Sequence, residues 1–344
     1  MLRTRSSRLS SAAARWARRR STSAAAVEPD LPPADCVRFE DVVRASHRIR
    51  EGIVRTECSH SYWLSRETGC ELYVKNEHTQ FTGSFKERGA RNSLASLDEA
   101  ERSRGVIAAS AGNHALALAW HGPQLGVPVT VVMPTVAPMA KVDKCRAFGA
   151  EVVIHGNHIG EAREFALSAP EHAGKRYING YDDPEIIAGA GTLGIEMLEQ
   201  LPDADAIVVP VGGAGLIAGI SLAAKTLNPS VEVIGVEPAM CASYTAALEA
   251  GSPTQFRMDG STLADGLAVP QARGRDTARS LRHCPRRQAL TGAARLTGWP
   301  ARLLGCAQVG RPHGPSEREV HRAGRAPAHR RRETSVDPGE RRRP

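Results

Sequence analysis

AIVVPVGGAGLIAGI, residues 206 to 220, decides the fold class. It opens with a short apolar, β-branched run, turns through Gly212, Gly213, Ala214 and Gly215, and continues from Leu216 as an apolar helical pattern. A strand that is apolar at successive positions is expected where both faces of a sheet are covered, and a helix that follows at once is half of a βαβ unit. The oriented amides and positive dipole end of such a helix make residues 212–216 a candidate phosphate cradle. The plainer alternative is a tight strand-to-helix connection. Neither G-x-G-x-x-G nor G-x-x-x-x-G-K-[ST] is present, so the turn is not a nucleotide motif.

The same alternation extends outward on both sides. ELYVKNE, VIAAS (106–110), VTVVMP (129–134), EVVIHG (151–156) and EVIGVEP (232–238) read as strands. ERGARNSLASL, NHALALAWHGPQLG, PMAKVDKCRAFG, HIGEAREFALSA, DPEIIAGAGTLGIEMLEQL and GLIAGISLAAKTL read as helices between them. The expectation is an α/β protein with mostly parallel sheets flanked by helices.

The chain has 344 residues, 41% of them apolar, enough to supply a core for each of two domains. Its net charge of +8 is unevenly spread: the first 26 residues carry +7, residues 271–344 carry +12, and the stretch between them carries −11. An acidic middle lacks the electrostatic footprint of a nucleic-acid-binding domain, so no nucleic-acid partner is expected there. Seven cysteines form no C-x-x-C pair and do not cluster with histidine, which argues against a zinc site or a disulfide framework and for reduced intracellular thiols. No run of eighteen apolar residues exists, so no membrane span is expected.

The two ends differ from the middle. Residues 1–26, MLRTRSSRLSSAAARWARRRSTSAAA, are rich in Arg, Ser and Ala without acids, the features of a transit peptide. A mitochondrial destination is the expectation, with plastid or cytoplasm as alternatives. Residues 271–344 contain no Ile, Phe, Tyr, Met, Lys or Asn, and so few core residues are not expected to complete a sheet. The abrupt change near Pro270 points to a reading-frame shift or retained intron, with a natural disordered tail as the alternative.

Two more features bear on chemistry. FTGSFKERGARN (81–92) sets Lys86 directly after Thr82, Gly83, Ser84 and Phe85, a setting that suits close approach to a ligand better than a solvated face. VIAASAGNHALALAW (106–120) runs from a buried strand through Ser110, Ala111 and Gly112 into a helix beginning near Asn113, so its free amides could hold a carboxylate. A lysine in a tight setting, a carboxylate site and a phosphate site together suit a cofactor with an aldehyde and a phosphate, acting on an amino acid. Pyridoxal 5′-phosphate is that cofactor.

The motifs Ser84-Phe85-Lys86-Glu87-Arg88-Gly89-Ala90, Ser110-Ala111-Gly112-Asn113-His114-Ala115, Gly212-Gly213-Ala214-Gly215-Leu216 and Thr262-Leu263-Ala264-Asp265-Gly266 resemble the threonine dehydratase and serine racemase group of fold-type II pyridoxal-phosphate enzymes. The resemblance runs from about residue 36 to 270. It implies a two-domain α/β fold with the cofactor between the domains: a small domain of residues 81–178 inserted into a large one of 36–80 and 179–270.

By this resemblance, Lys86 condenses with the cofactor aldehyde and later takes the Cα proton. Asn113 partners the pyridoxal 3′-hydroxyl. The amides of Ser110, Ala111, Gly112, Asn113 and His114 bind the substrate carboxylate, and those of Gly212, Gly213, Ala214, Gly215 and Leu216 bind the cofactor phosphate. Racemases of the group carry a serine at the position of Ala111, as a second base on the opposite face of the substrate. An alanine cannot move a proton, so the resemblance implies a dehydratase: α,β-elimination from L-threonine or L-serine to a 2-oxo acid and ammonia, in a homo-oligomer. A truncated, non-catalytic relative is the alternative, because the family's later strands and helices are not legible after about Pro270. The loop usually reads four glycines, so Ala214 is expected to have a backbone angle compatible with alanine. The group's divalent-cation site needs an acidic residue shortly after the position of Glu237; Ser243 stands there, and no metal is expected.

Overall fold

In a computed structural model, the described residues are 37–250, 252–258, 260, 262–272, 286–290 and 302–306. The transit-peptide expectation for residues 1–26 lies outside them. The strands are β1 (Cys58–His60), β2 (Glu71–Lys75), β3 (Val106–Ala109), β4 (Val129–Met133), β5 (Glu151–Ile154), β6 (Arg176–Tyr177), β7 (Ala206–Pro210), β8 (Glu232–Pro238), β9 (Arg286–Leu290) and β10 (Arg302–Cys306). The helices are α1 (Phe39–Ile49), α2 (Tyr62–Thr68), α3 (Lys86–Ala95), α4 (Glu99–Arg104), α5 (Asn113–Gln124), α6 (Met139–Ala147), α7 (Ile159–Ser168), α8 (Pro184–Gln200), α9 (Gly215–Leu227) and α10 (Ser243–Ala250).

Two sheets result. A four-stranded sheet runs β5-β4-β3-β6 with every pairing parallel. A six-stranded sheet runs β1-β2-β10-β7-β8-β9, parallel except for the antiparallel edge pair β1–β2. Strand β4 shows why its sequence has no polar alternation: all five residues are buried. Val131 and Met133 join the cluster formed with α3 and α5, whereas Val132 faces the opposite cluster with Ala162 and Ala166 of α7. Helices on both faces leave such a strand no solvated side.

In the larger sheet, Ile207 and Val209 of β7 pack with Leu193 and Met197 of α8 and with Ile217 and Ile220 of α9. The start of α8 is fixed locally: the Asp183 carboxylate accepts from the amides of Glu185 and Ile186, and Pro184 occupies the first turn, where no donor is needed. Among the described residues, no helix is long and apolar enough to cross a membrane.

Two short segments beyond residue 270 depart from the expectation that this stretch adds no strand; the rest of 273–344 lies outside the described residues. RRQAL forms β9 and RLLGC forms β10, which pairs in parallel with both β2 and β7. Parallel pairing is made by backbone groups, so an arginine-rich composition does not forbid it, and a strand between β2 and β7 satisfies two otherwise unpaired rows of amides and carbonyls.

Candidate functional site

Lys86 opens α3, in the helix's first turn. Its Nζ donates to the carbonyl of Gly180, ninety-four residues away, and lies 5.2 Å from the centre of the Phe85 ring. Burial pushes the Lys86 pKa down to about 8, because the charged ammonium loses more hydration than the neutral amine. About a tenth of the lysine is therefore uncharged at pH 7, far more than at the ordinary value of 10.5, and condensation with an aldehyde draws on that fraction.

The next two residues anchor that turn. Glu87 is fully buried, accepts from the Thr82 amide, and sets Oε2 3.3 Å from Nε2 of the buried His121. Arg88, also fully buried, donates through Nε and Nη2 to Glu77 at 2.9 and 2.8 Å. It donates through Nη1 and Nη2 to Glu196 at 2.7 and 2.9 Å. Lys75 completes the cluster, with Nζ 2.8 Å from Glu196 and 2.7 Å from the Thr56 carbonyl. Two buried cations thus face two carboxylates, a pairing that keeps each charge compensated.

The turn from β3 into α5 carries Ser110 to His114. The Gly112 amide is 3.3 Å from the Ser110 hydroxyl, and α5 starts at Asn113 with no side-chain cap, leaving its first amides without helical acceptors. His114 is buried, with Nε2 3.2 Å from the Ile178 carbonyl. That carbonyl can only accept, so Nε2 carries the proton and Nδ1, which has no partner, keeps its lone pair. Burial and then the charge of Lys86 push the His114 pKa down to about 3, so the ring is neutral.

Residues 178–181 tie the three motifs together, and nothing in the sequence analysis singled them out. The Ile178 carbonyl faces His114 and the Gly180 carbonyl faces Lys86. A Cβ on Gly180 would lie 2.9 Å from Cγ of His114. Tyr181 then lies on the glycine turn: a Cβ on Gly213 would meet its ring atoms at 2.2 to 2.6 Å, and one on Gly215 would meet its carbonyl oxygen at 2.3 Å. These two glycines are therefore required by the approach of Tyr181, a reason independent of any bound anion. The Asn179-Gly180 dipeptide was the available sequence signal for this turn; the Asn179 side chain accepts from the amides of Tyr181 and Asp182 at 3.0 and 3.1 Å.

Residues 212–216 form the turn from β7 into α9. Ala214 stands just before α9 with φ 72°, the left-handed region, and is the one non-glycine residue with positive φ among the described residues. This corrects the expectation of an alanine-compatible angle; the neighbouring contacts hold a conformation that costs a side chain on the order of 1 kcal/mol. Gly212 packs under the Leu-Ala-Asp-Gly turn, where its Cβ would lie 3.2 Å from the Gly266 carbonyl. Glu237 spends both carboxylate oxygens on the start of α10, accepting from the Tyr244 and Thr245 amides at 2.8 and 2.9 Å and from the Thr245 hydroxyl at 2.8 Å.

A ligand with an aldehyde and a phosphate fits this donor set. Lys86 is a lysine of lowered basicity, and the turn before α9 offers backbone amides with no side-chain cap in their way.

Comparison with known proteins agrees. Residues 49–293 match the family described as pyridoxal-phosphate dependent enzyme. The L-threonine ammonia-lyase of Thermotoga maritima is 47% identical over 234 residues, covering 68% of this chain and 58% of that protein. The chain thus spans little more than half the length of this relative, as it does for the Geobacter sulfurreducens L-threonine ammonia-lyase, of which 56% is covered at 44% identity. Among solved structures, the processed form of threonine deaminase isoform 2 from Solanum lycopersicum superposes with a TM-score of 0.69 at 37% identity, covering 73% of this chain and 74% of that one. Maize serine racemase superposes with a TM-score of 0.68 at 32% identity, covering 74% and 77%. With residues 49–293 matched, the chain belongs to the family of pyridoxal-phosphate dependent enzymes.

Proposed function

We propose that the protein catalyses α,β-elimination from L-threonine or L-serine, releasing a 2-oxo acid and ammonia. The observation that carries this reading is Lys86: a partly buried amine with a pKa near 8, fixed by the Gly180 carbonyl, within a chain that is 47% identical over 234 residues to an L-threonine ammonia-lyase.

Pyridoxal phosphate, when bound, supplies the electron sink that acidifies the substrate Cα–H bond. The amides of Gly212 to Leu216 would hold its phosphate, Asn113 its 3′-hydroxyl and Lys86 its aldehyde carbon. The amides of Ser110 to His114 would hold the substrate carboxylate, which orients the Cα–H bond toward Lys86 Nζ. Lys86 Nζ then accepts that proton. By the family resemblance, a racemase needs a hydroxyl at the position of Ala111 to return a proton from the opposite face, and a methyl cannot do so, which supports elimination over racemisation.

In this reading, residues 81–178 form a small domain and residues 36–80 with 179–270 a large one, in a homo-oligomer directed to mitochondria by the composition of residues 1–26. The test is 2-oxobutyrate release from L-threonine by the purified protein. Wild type is expected to release it and Lys86→Ala to lose at least about 10³-fold. Cofactor bound at Lys86 without oxo acid release would instead identify a non-catalytic relative.

A further inference from the structure

We infer that Glu87 and His121 are a positioning pair, which holds Lys86 in register with the turn at Ser110–His114. This rests on the assignment of Lys86 as the cofactor-bearing lysine.

An α-helix advances 100° per residue, so Lys86, Glu87 and Arg88 leave the first turn of α3 in three directions. Lys86 points to Gly180 and Arg88 to the buried cluster behind it. Glu87 points to α5, the helix whose start carries the carboxylate turn. His121 stands eight residues after Asn113, about 12 Å along the same helix axis. A link from Glu87 to His121 therefore fixes the spacing between the turn bearing Lys86 and the helix bearing the second anion site.

The chemistry of the pair is directional. Both side chains are completely buried, and their facing atoms, Glu87 Oε2 and His121 Nε2, stand 3.3 Å apart outside hydrogen-bond geometry, with no hydrogen-bond partner elsewhere among the described residues. On the far side of the imidazole, Nη1 of Arg91 lies 3.3 Å from Nδ1. Arginine can only donate, so Nδ1 accepts and the ring proton sits on Nε2, facing the carboxylate. The other Glu87 oxygen takes the Thr82 amide and pins the start of the Lys86 loop. Arg91, His121, Glu87 and Thr82 thus form one row of contacts, a close His121–Glu87 polar contact between two hydrogen bonds, ending four residues before Lys86. The buried Glu87–His121 pair at its centre tolerates no change of sign.

Glu87→Gln tests it. The amide keeps the shape and an oxygen for Thr82 but turns a donor toward the His121 donor. His121→Gln keeps a donor that can reach Glu87, and is the conservative control. Two quantities are read on cofactor-free protein: the rate at which pyridoxal 5′-phosphate is fixed to Lys86 with cyanoborohydride present, which reduces C=N in preference to the free aldehyde, and the affinity for pyridoxamine 5′-phosphate, which has no aldehyde. In the first, the Lys86 amine and the aldehyde lose water to form a C=N bond, which hydride reduces to a stable amine identified by mass spectrometry.

Glu87→Gln is expected to slow fixation about tenfold or more while pyridoxamine phosphate binding stays within about twofold, and His121→Gln to retain most of the wild-type rate. Wild-type fixation by Glu87→Gln would overturn the pairing. So would a parallel fall in both quantities, which would mark a general loss of structure. A wild-type protein that fixes no cofactor would overturn the assignment of Lys86 itself.

Discussion

Replacing Lys86 by Met in the cofactor-free protein should stabilise it at neutral pH, although the change removes the amine proposed to hold the cofactor. Burial lowers the Lys86 pKa from 10.5 to about 8, and one pKa unit corresponds to about 1.4 kcal/mol. Holding the ammonium in the folded site at pH 7 therefore costs about 3 kcal/mol. Methionine has nearly the same length and carries no charge. Its own cost is the lost hydrogen bond to the Gly180 carbonyl, about 1 kcal/mol, so a net gain of about 1–2 kcal/mol is expected at pH 7.

The sign of the pH dependence follows from linkage. Because the folded pKa lies below the unfolded one, the unfolded chain binds more protons between pH 8 and 10.5, and wild-type stability rises with pH across that window. Below pH 8 the penalty is complete and constant; above 10.5 it is gone. Urea unfolding of both proteins at pH 7 and pH 10 measures the difference directly. The Met variant should be the more stable at pH 7 and should lose that advantage by pH 10. A Met variant less stable than wild type at pH 7, or a difference that does not change with pH, would refute a desolvated lysine. The gain would exemplify stability given up for a reactive group.

The remaining predictions concern the frame around Lys86. Gly213→Ala should cost about 1–3 kcal/mol and weaken cofactor binding, because the added methyl meets the Tyr181 ring at 2.2 Å; Tyr181→Ala in the same chain should restore part of the loss in a thermal melt. Arg88→Met should cost about 3–5 kcal/mol in urea unfolding by leaving Glu77 buried without its principal cation, and Glu77→Gln added to it should recover some of that loss. Glu237→Ala should cost about 1–2 kcal/mol by uncapping α10, read as earlier loss of hydrogen-exchange protection at Tyr244 and Thr245.

Much of this architecture was legible in the chain. VTVVM reads as a strand covered on both faces because it has no polar alternation, and AIVVPVGGAGLIAGI reads as strand, turn and helix because its period changes at Gly212. The three motifs at Lys86, Ser110 and Gly212 stood out by residue type alone. Less visible was why the glycines are there: Gly213 and Gly215 read as a cradle for phosphate, yet each also leaves room for Tyr181. Composition also misled beyond residue 270, where RLLGC takes a place between β2 and β7 despite its arginine-rich surroundings.

The sequence by itself determined most of the strand-and-helix alternation between β2 and β8 and marked Lys86 as chemically out of place, because hydrophobic period and turn chemistry are local properties. Only the tertiary structure decided what surrounds that lysine. Gly180 is 94 residues from it, and Glu196 is 108 residues from Arg88. Burial and partners at such separations, which set the basicity and direction of an amine, exist only once the sheets and helices have packed.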